Sequence, residues 1–129
     1  MIKMPTQKFS FRSRVKSFHY AFAGIHKMIK SEHNASVHLL GTIVVLMAAL
    51  FFRITALQLA VLVFAIALVW ITEMINTCIE KIMDFISLED HPQIQFIKDV
   101  AAGAVLISAI AAFLTGVLIF IPKFLFLWK

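Results

Sequence analysis

Glu73, Asn76, Glu80 and Asp84 are the residues whose types and spacing can do chemistry. They are separated by three, four and four positions, the intervals that bring side chains onto one face of an α-helix. Thr77 stands one turn from Glu73, while Ile75, Ile79, Ile82 and Ile86 fall on the opposite surface. Carboxylates stacked on one face repel each other and resist burial. Ionisable groups in or near a bilayer therefore tend to face a bundle interior and to carry function. A divalent cation relieves the repulsion most simply, and Mg²⁺ favours oxygen ligands combined with substrate phosphates. A protonated or hydrogen-bonded structural face is the plainer alternative.

The elements that hold this ladder belong to a membrane protein. The chain has 129 residues, 61 % hydrophobic and 15 % charged, against about 25 % charged in ordinary globular proteins. Its charges cluster and leave three long stretches without any. Residues 33 to 52 are uncharged and long enough, at ~1.5 Å per residue, to cross a hydrocarbon core of ~30 Å. Residues 54 to 72 form the second uncharged stretch, and helical apolar coverage continues past Glu73 to Ile86. One helix over 55–86 would be ~48 Å long, so it should project beyond the hydrocarbon. Residues 87 to 92, SLEDHP, read as a connector, since acidic residues and a proline stop an apolar helix. Residues 100 to 121 are the third uncharged stretch, Pro122 is expected to end it, and Phe124, Phe126 and Trp128 suit an interface.

Residues 10 to 30 read differently. Phe11, Val15, Phe18, Phe22, Ile25 and Ile29 recur at helical spacing, with Arg14, Lys16, His19, Lys27 and Lys30 between them. Such a helix lies in the headgroup plane or packs on a neighbour at the membrane edge; the basic residues favour the plane. The mixing of basic and apolar residues over thirty positions is unlike a secretory signal. The predicted architecture is therefore all-α and integral to the membrane. It is one domain over 1–129, with a surface helix at about 10–30 and spans at about 34–52, 55–86 and 94–121.

The net charge of +5 does not imply nucleic acid. Seven of the twelve Lys and Arg residues lie in the first thirty positions, where no acidic residue occurs. A basic flank beside a span attracts anionic headgroups and marks the cytoplasmic side. This places the N-terminus and the 87–98 connector in the cytoplasm and the 53–55 turn outside. Cys78 is alone, so neither an internal disulfide nor a Cys/His zinc array is expected.

Two other charged places could complete the ladder. Glu32 lies at the cytoplasmic mouth of the first span, and Lys98-Asp99 at that of the third. If the three helix ends meet, Glu32, Glu80, Lys98 and Asp99 converge. A metal ion and an ammonium group would then suit a phosphate-bearing substrate; an ordinary membrane-edge lysine is the plainer reading of Lys98. His38, inside the first span, is a candidate supporting group or an interhelical hydrogen-bond partner, whereas His19 and His26 read as interfacial. No GxxxxGK[ST], GxGxxG or HExxH arrangement occurs. Periodicity alone leaves a kinase and an ion-coupled transporter, or a non-enzymatic membrane protein, as alternatives.

The segment Glu73-Met-Ile-Asn76-Thr77-Cys78-Ile79-Glu80 followed by Asp84, and then Lys98-Asp99-Val-Ala-Ala-Gly103, strongly resembles the prokaryotic diacylglycerol kinase and undecaprenol kinase family. Lys16-Ser-Phe18-His-Tyr-Ala21-Phe-Ala-Gly24 and Glu32-His-Asn34 fit it too, so the resemblance covers roughly residues 10 to 122. It implies a homotrimer of three-span protomers in a bacterial cytoplasmic membrane, with the active site at the cytoplasmic face. It also implies transfer of the γ-phosphate of MgATP to the hydroxyl of a membrane lipid, diacylglycerol or undecaprenol. Glu73 matches the general base, Glu32 and Glu80 the carboxylates that hold Mg²⁺ against ATP, and Asn76 and Asp84 residues that shape the site. Lys98 matches a phosphate-contacting lysine, and Asp99 a neighbour placed toward the nucleotide. The chain departs from the undecaprenol kinase branch at Ser36, where that branch often carries Arg, and follows it at His38.

Overall fold

The computed structural model describes residues 10–87, 89 and 91–127; Trp128 of the expected aromatic tail lies outside them. It contains four helices, α1 (Phe11–Ser31), α2 (His33–Phe51), α3 (Ala56–Ile86) and α4 (Pro92–Leu127). The fold is all-α. Helices α2, α3 and α4 are long and apolar enough to cross a membrane, and α1 is not among them.

A single residue separates α1 from α2. Glu32 has extended backbone, φ −109° and ψ 120°, and serves as C-cap of one helix and N-cap of the next. Its N–H still donates to the Met28 carbonyl, so the first helix is closed before the chain turns. Ser36 Oγ donates back across the corner to the Ile29 carbonyl at 3.2 Å. Met28 and Ala35 are buried at this corner, whereas Phe11, Val15, Phe18 and Phe22 are exposed along the rest of α1. An apolar stripe left bare beside basic residues has the composition of a helix that lies on a bilayer surface.

The α2–α3 turn is set by backbone hydrogen bonding. Ile54 N–H donates to the Ala49 carbonyl and Arg53 N–H to the Leu50 carbonyl, the paired bonds of a Schellman motif. Arg53 occupies the left-handed position at φ 48°, which costs a side-chain-bearing residue about 1 kcal/mol. Ile54 packs on the cluster of Ala49, Leu62 and Ile119, the apolar contact that accompanies the motif. Thr55 then caps α3. Its Oγ1 accepts from the Gln58 N–H while its own N–H donates to Gln58 Oε1, a reciprocal capping box.

Helix α3 has 31 residues, about 46 Å at the usual rise, and so outruns a hydrocarbon core of ~30 Å. Its main packing partner is α4. The buried residues of α3 are Leu62, Ala65, Val69, Glu73 and Asn76, at intervals of three and four. One stripe thus begins apolar and ends polar. Most other large apolar side chains are exposed, as expected where lipid rather than water is the solvent.

Helix α4 starts at Pro92, where a missing N–H is harmless. It does not stop at Pro122, as the sequence suggests, but continues to Leu127. A proline removes one backbone donor and can kink a helix. Pro122 is exposed, and membrane helices tolerate proline because local backbone adjustment and neighbouring groups satisfy the freed carbonyl.

Arg53→Val, which puts a β-branched residue in the left-handed region, is expected to lower stability by about 1–2 kcal/mol, and Arg53→Gly to leave it equal or higher. Unfolding in detergent, followed by circular dichroism, measures the difference.

Candidate functional site at the polar end of the buried stripe

The ladder on α3 is the continuation of its packing face. Glu73 follows Val69 by four positions, so the register that buries Leu62, Ala65 and Val69 also carries Glu73 and Asn76 inward. They are 3 % and 6 % exposed. Of the isoleucines expected on the other side, Ile75, Ile82 and Ile86 are exposed, whereas Ile79 is half-buried and lines a pocket with Asn76.

Glu73 faces α2. Its Oε2 lies 3.9 Å from His38 Nε2, beyond hydrogen-bond range but within electrostatic contact. One turn further, Asn76 Nδ2 donates to Glu80 Oε1 at 3.0 Å. That bond orients the carboxylate and assigns the amide, because the reversed amide would set two oxygens together. Asn76 Oδ1 is then a buried acceptor without a hydrogen-bond donor.

Two ion pairs join helices near this end. Lys81 Nζ meets Glu32 Oε1 at 3.0 Å, joining the α1–α2 corner to α3. Lys98 Nζ meets Asp84 Oδ1 at 2.9 Å, joining α4 to α3. Both pairs are partly exposed, so they contribute little stability; their effect is to bring three helix segments to one end of the bundle. Asp99 stays on α4, where Gln95 Nε2 donates to its Oδ1 at 2.7 Å. No hydrogen bond or ion pair joins Glu32, Glu80, Lys98 and Asp99 to one another as expected: Glu32 pairs with Lys81, Glu80 with Asn76, Lys98 with Asp84 and Asp99 with Gln95.

Two interhelical hydrogen bonds flank Glu73. Trp70 Nε1 donates to Thr42 Oγ1 at 3.0 Å, from α3 to α2. Thr72 Oγ1 and Ser108 Oγ lie 2.8 Å apart, linking α3 to α4. Neither these residues nor Lys81 stood out in the sequence. The available signal was a polar side chain inside an otherwise apolar span, since such groups pair across helices. Beside the first bond runs a groove of about 550 Å³ between α2, α3 and α4. His38, Thr42 and Trp70 line its polar part, and Leu62, Phe113 and Phe120 its apolar part.

Among the described residues, no three of His, Cys, Asp and Glu gather as a metal-holding group. Glu32, Glu80 and the unpartnered Asn76 oxygen are donors of the type a hard cation takes, but Glu32 is engaged by Lys81 while Asn76 and Glu80 are joined to each other.

Fold and site together define a membrane-embedded helical protein with a buried carboxylate and a charged mouth at one end. The chain belongs to the prokaryotic diacylglycerol kinase family, whose pattern matches residues 19–120. It is 36 % identical over 110 residues to a diacylglycerol kinase of Synechocystis sp., covering 84 % of this chain and 63 % of that protein. It is 32 % identical over 108 residues to the undecaprenol kinase of Bacillus subtilis, covering 84 % of this chain and 88 % of the relative. The chain therefore spans somewhat under two thirds of the first relative and most of the second.

Ser108→Ala removes the cross-helix partner of Thr72 and is expected to lower stability by about 0.5–1 kcal/mol. Titration with a denaturing detergent, read by near-ultraviolet circular dichroism, reports the change.

Proposed function

We propose that this protein is an ATP-dependent lipid kinase that moves the γ-phosphate of MgATP to the hydroxyl of diacylglycerol or undecaprenol. The observation that carries the reading is Glu73, a carboxylate buried in the membrane-crossing part of α3 with polar and charged groups stacked beyond it. Family membership supplies the reaction class.

In this reading the lipid hydroxyl approaches from the membrane and ATP from the cytoplasm. Seven residues, about 10 Å of helix, separate Glu73 from Glu80, so the base lies deeper than the carboxylates that serve the nucleotide. The hydroxyl oxygen attacks the γ-phosphorus as its proton passes to Glu73. The bond from that phosphorus to the bridging oxygen breaks, and ADP departs with the electron pair. His38 faces the carboxylate that receives the proton. Bound Mg²⁺ supplies positive charge to the ATP phosphates, and Glu32 and Glu80 are the residues that would hold it. Asn76 orients Glu80. Lys98 exchanges Asp84 for a phosphate oxygen when ATP binds, Asp84 steadies it otherwise, and Asp99 faces the nucleotide. Such transfer is mostly positioning and charge stabilisation, which a rigid helix face performs well.

The same reading sets the chain in a bacterial cytoplasmic membrane as a homotrimer, with the N-terminus and the α3–α4 connector in the cytoplasm and the active site on the cytoplasmic side. The basic N-terminal segment supports that orientation. The exposed apolar faces of the three long helices are what neighbouring copies and lipid would cover.

Purified protein given labelled ATP with both lipids in competition is expected to label one or both, and Glu73→Gln to lower the rate by about 10²–10⁴-fold. Ion flux without ATP consumption, or full activity in Glu73→Gln, would overturn the proposal. Glu32→Ala and Glu80→Ala are expected to raise the Mg²⁺ concentration for half-maximal rate by roughly tenfold or more. A Mg²⁺ titration at saturating ATP measures that.

A further inference from the structure

We propose that Trp70 and Thr42 are positioning residues whose hydrogen bond sets the register of α2 on α3 and so holds the His38 imidazole against Glu73. The inference rests on the reading of Glu73 as the base and extends it to two residues that touch neither phosphate nor metal in that scheme.

The direction of the hydrogen-bond chain follows from its chemistry. An indole nitrogen only donates, so Trp70 Nε1 gives its proton to Thr42 Oγ1 at 3.0 Å. The threonine hydroxyl then turns its own proton to the His38 carbonyl, 2.7 Å away. The chain Trp70 to Thr42 to His38 is continuous, and in a low-dielectric interior each link strengthens the next. It ends on the backbone of the residue whose ring faces Glu73.

Position along the helices makes the chain a clamp. Trp70 precedes Glu73 by three residues and Thr42 follows His38 by four, so the hydrogen bond and the His38–Glu73 contact are successive rungs between antiparallel helices. Helix α2 meets α3 over far less of its length than α4 does. Apolar contact alone selects register weakly here, because lipid solvates an apolar side chain as well as a neighbouring helix can. Slipping α2 by one residue would carry His38 about 1.5 Å along the axis and about 100° around it. That suffices to break a contact already at 3.9 Å. On the other flank Thr72 and Ser108 tie the same stretch of α3 to α4, so loss of the clamp frees α2 in particular.

The test uses the full-length protein in mixed micelles with MgATP and either diacylglycerol or undecaprenol. Trp70→Phe keeps an aromatic ring and removes the donor; Thr42→Val keeps the shape and removes the hydroxyl. Each is expected to lower kcat by about five- to tenfold with both KM values within about twofold, since misplacement of a reacting group acts on the transition state. Thr42→Ser, which restores the hydroxyl, recovers most of the rate. In a His38→Ala background Trp70→Phe has no further effect, because the clamp acts through His38. An unchanged kcat, a raised acceptor KM at constant kcat, or an equal loss with and without His38 overturns the proposal. The two levels are separable. If Glu73→Gln is inactive while Trp70→Phe is unimpaired, only the clamp fails; if Glu73→Gln is active, the base reading fails and the clamp's role with it.

Discussion

Everything in this fold depends on how a carboxylate can be carried inside a membrane helix. An isolated charge in an apolar medium is so costly that it must be paired, neutralised or led to water. Here Glu73 is placed on the stripe that packs α3, beside His38 of α2, with Asn76 and Glu80 following toward one helix end. The helix is longer than a hydrocarbon core is thick. A single rigid element therefore presents polar groups at graded depth, which a loop crossing the same boundary could not do.

The interhelical contacts complement that placement. Hydrophobic association is weak between helices already solvated by lipid, so polar contacts select which faces meet and in what register. Trp70 with Thr42 and Thr72 with Ser108 lie within three residues of Glu73. The ion pairs Lys81–Glu32 and Lys98–Asp84 lie at the charged end. Around the buried carboxylate the bundle is fastened by neutral bonds. At its mouth the contacts are partly exposed ion pairs, which water can replace at little cost in stability. In the proposed kinase, which would admit a nucleotide at one end and exclude water at the other, that division would serve both needs.

Much of this was legible in the residues. Glu73, Asn76, Glu80 and Asp84 announced a helix face through spacing alone, and the uncharged stretches announced three long helices, because both signals are local. Helix α4 runs past Pro122, where the sequence suggests an end, since a helix-breaking propensity is also local and yields to its surroundings. Lys81 carries no local signal of its role. Its partner Glu32 is forty-nine positions away (81 minus 32), and no pattern within α3 marks it.

By itself, the sequence determined helix content, the lengths of the apolar stretches and the one-sidedness of the acidic ladder, all consequences of periodicity and composition. The tertiary structure decided that this ladder prolongs the apolar packing stripe, that His38 rather than another histidine faces Glu73, and that Lys98 rests on Asp84. It also decided that Thr42, Trp70, Thr72 and Ser108 are joined across helices. The physical reason is that helix periodicity specifies an angle around each axis. Which angles face each other depends on how two or three axes are rotated and slid together, and that is settled by contacts between residues far apart in the chain.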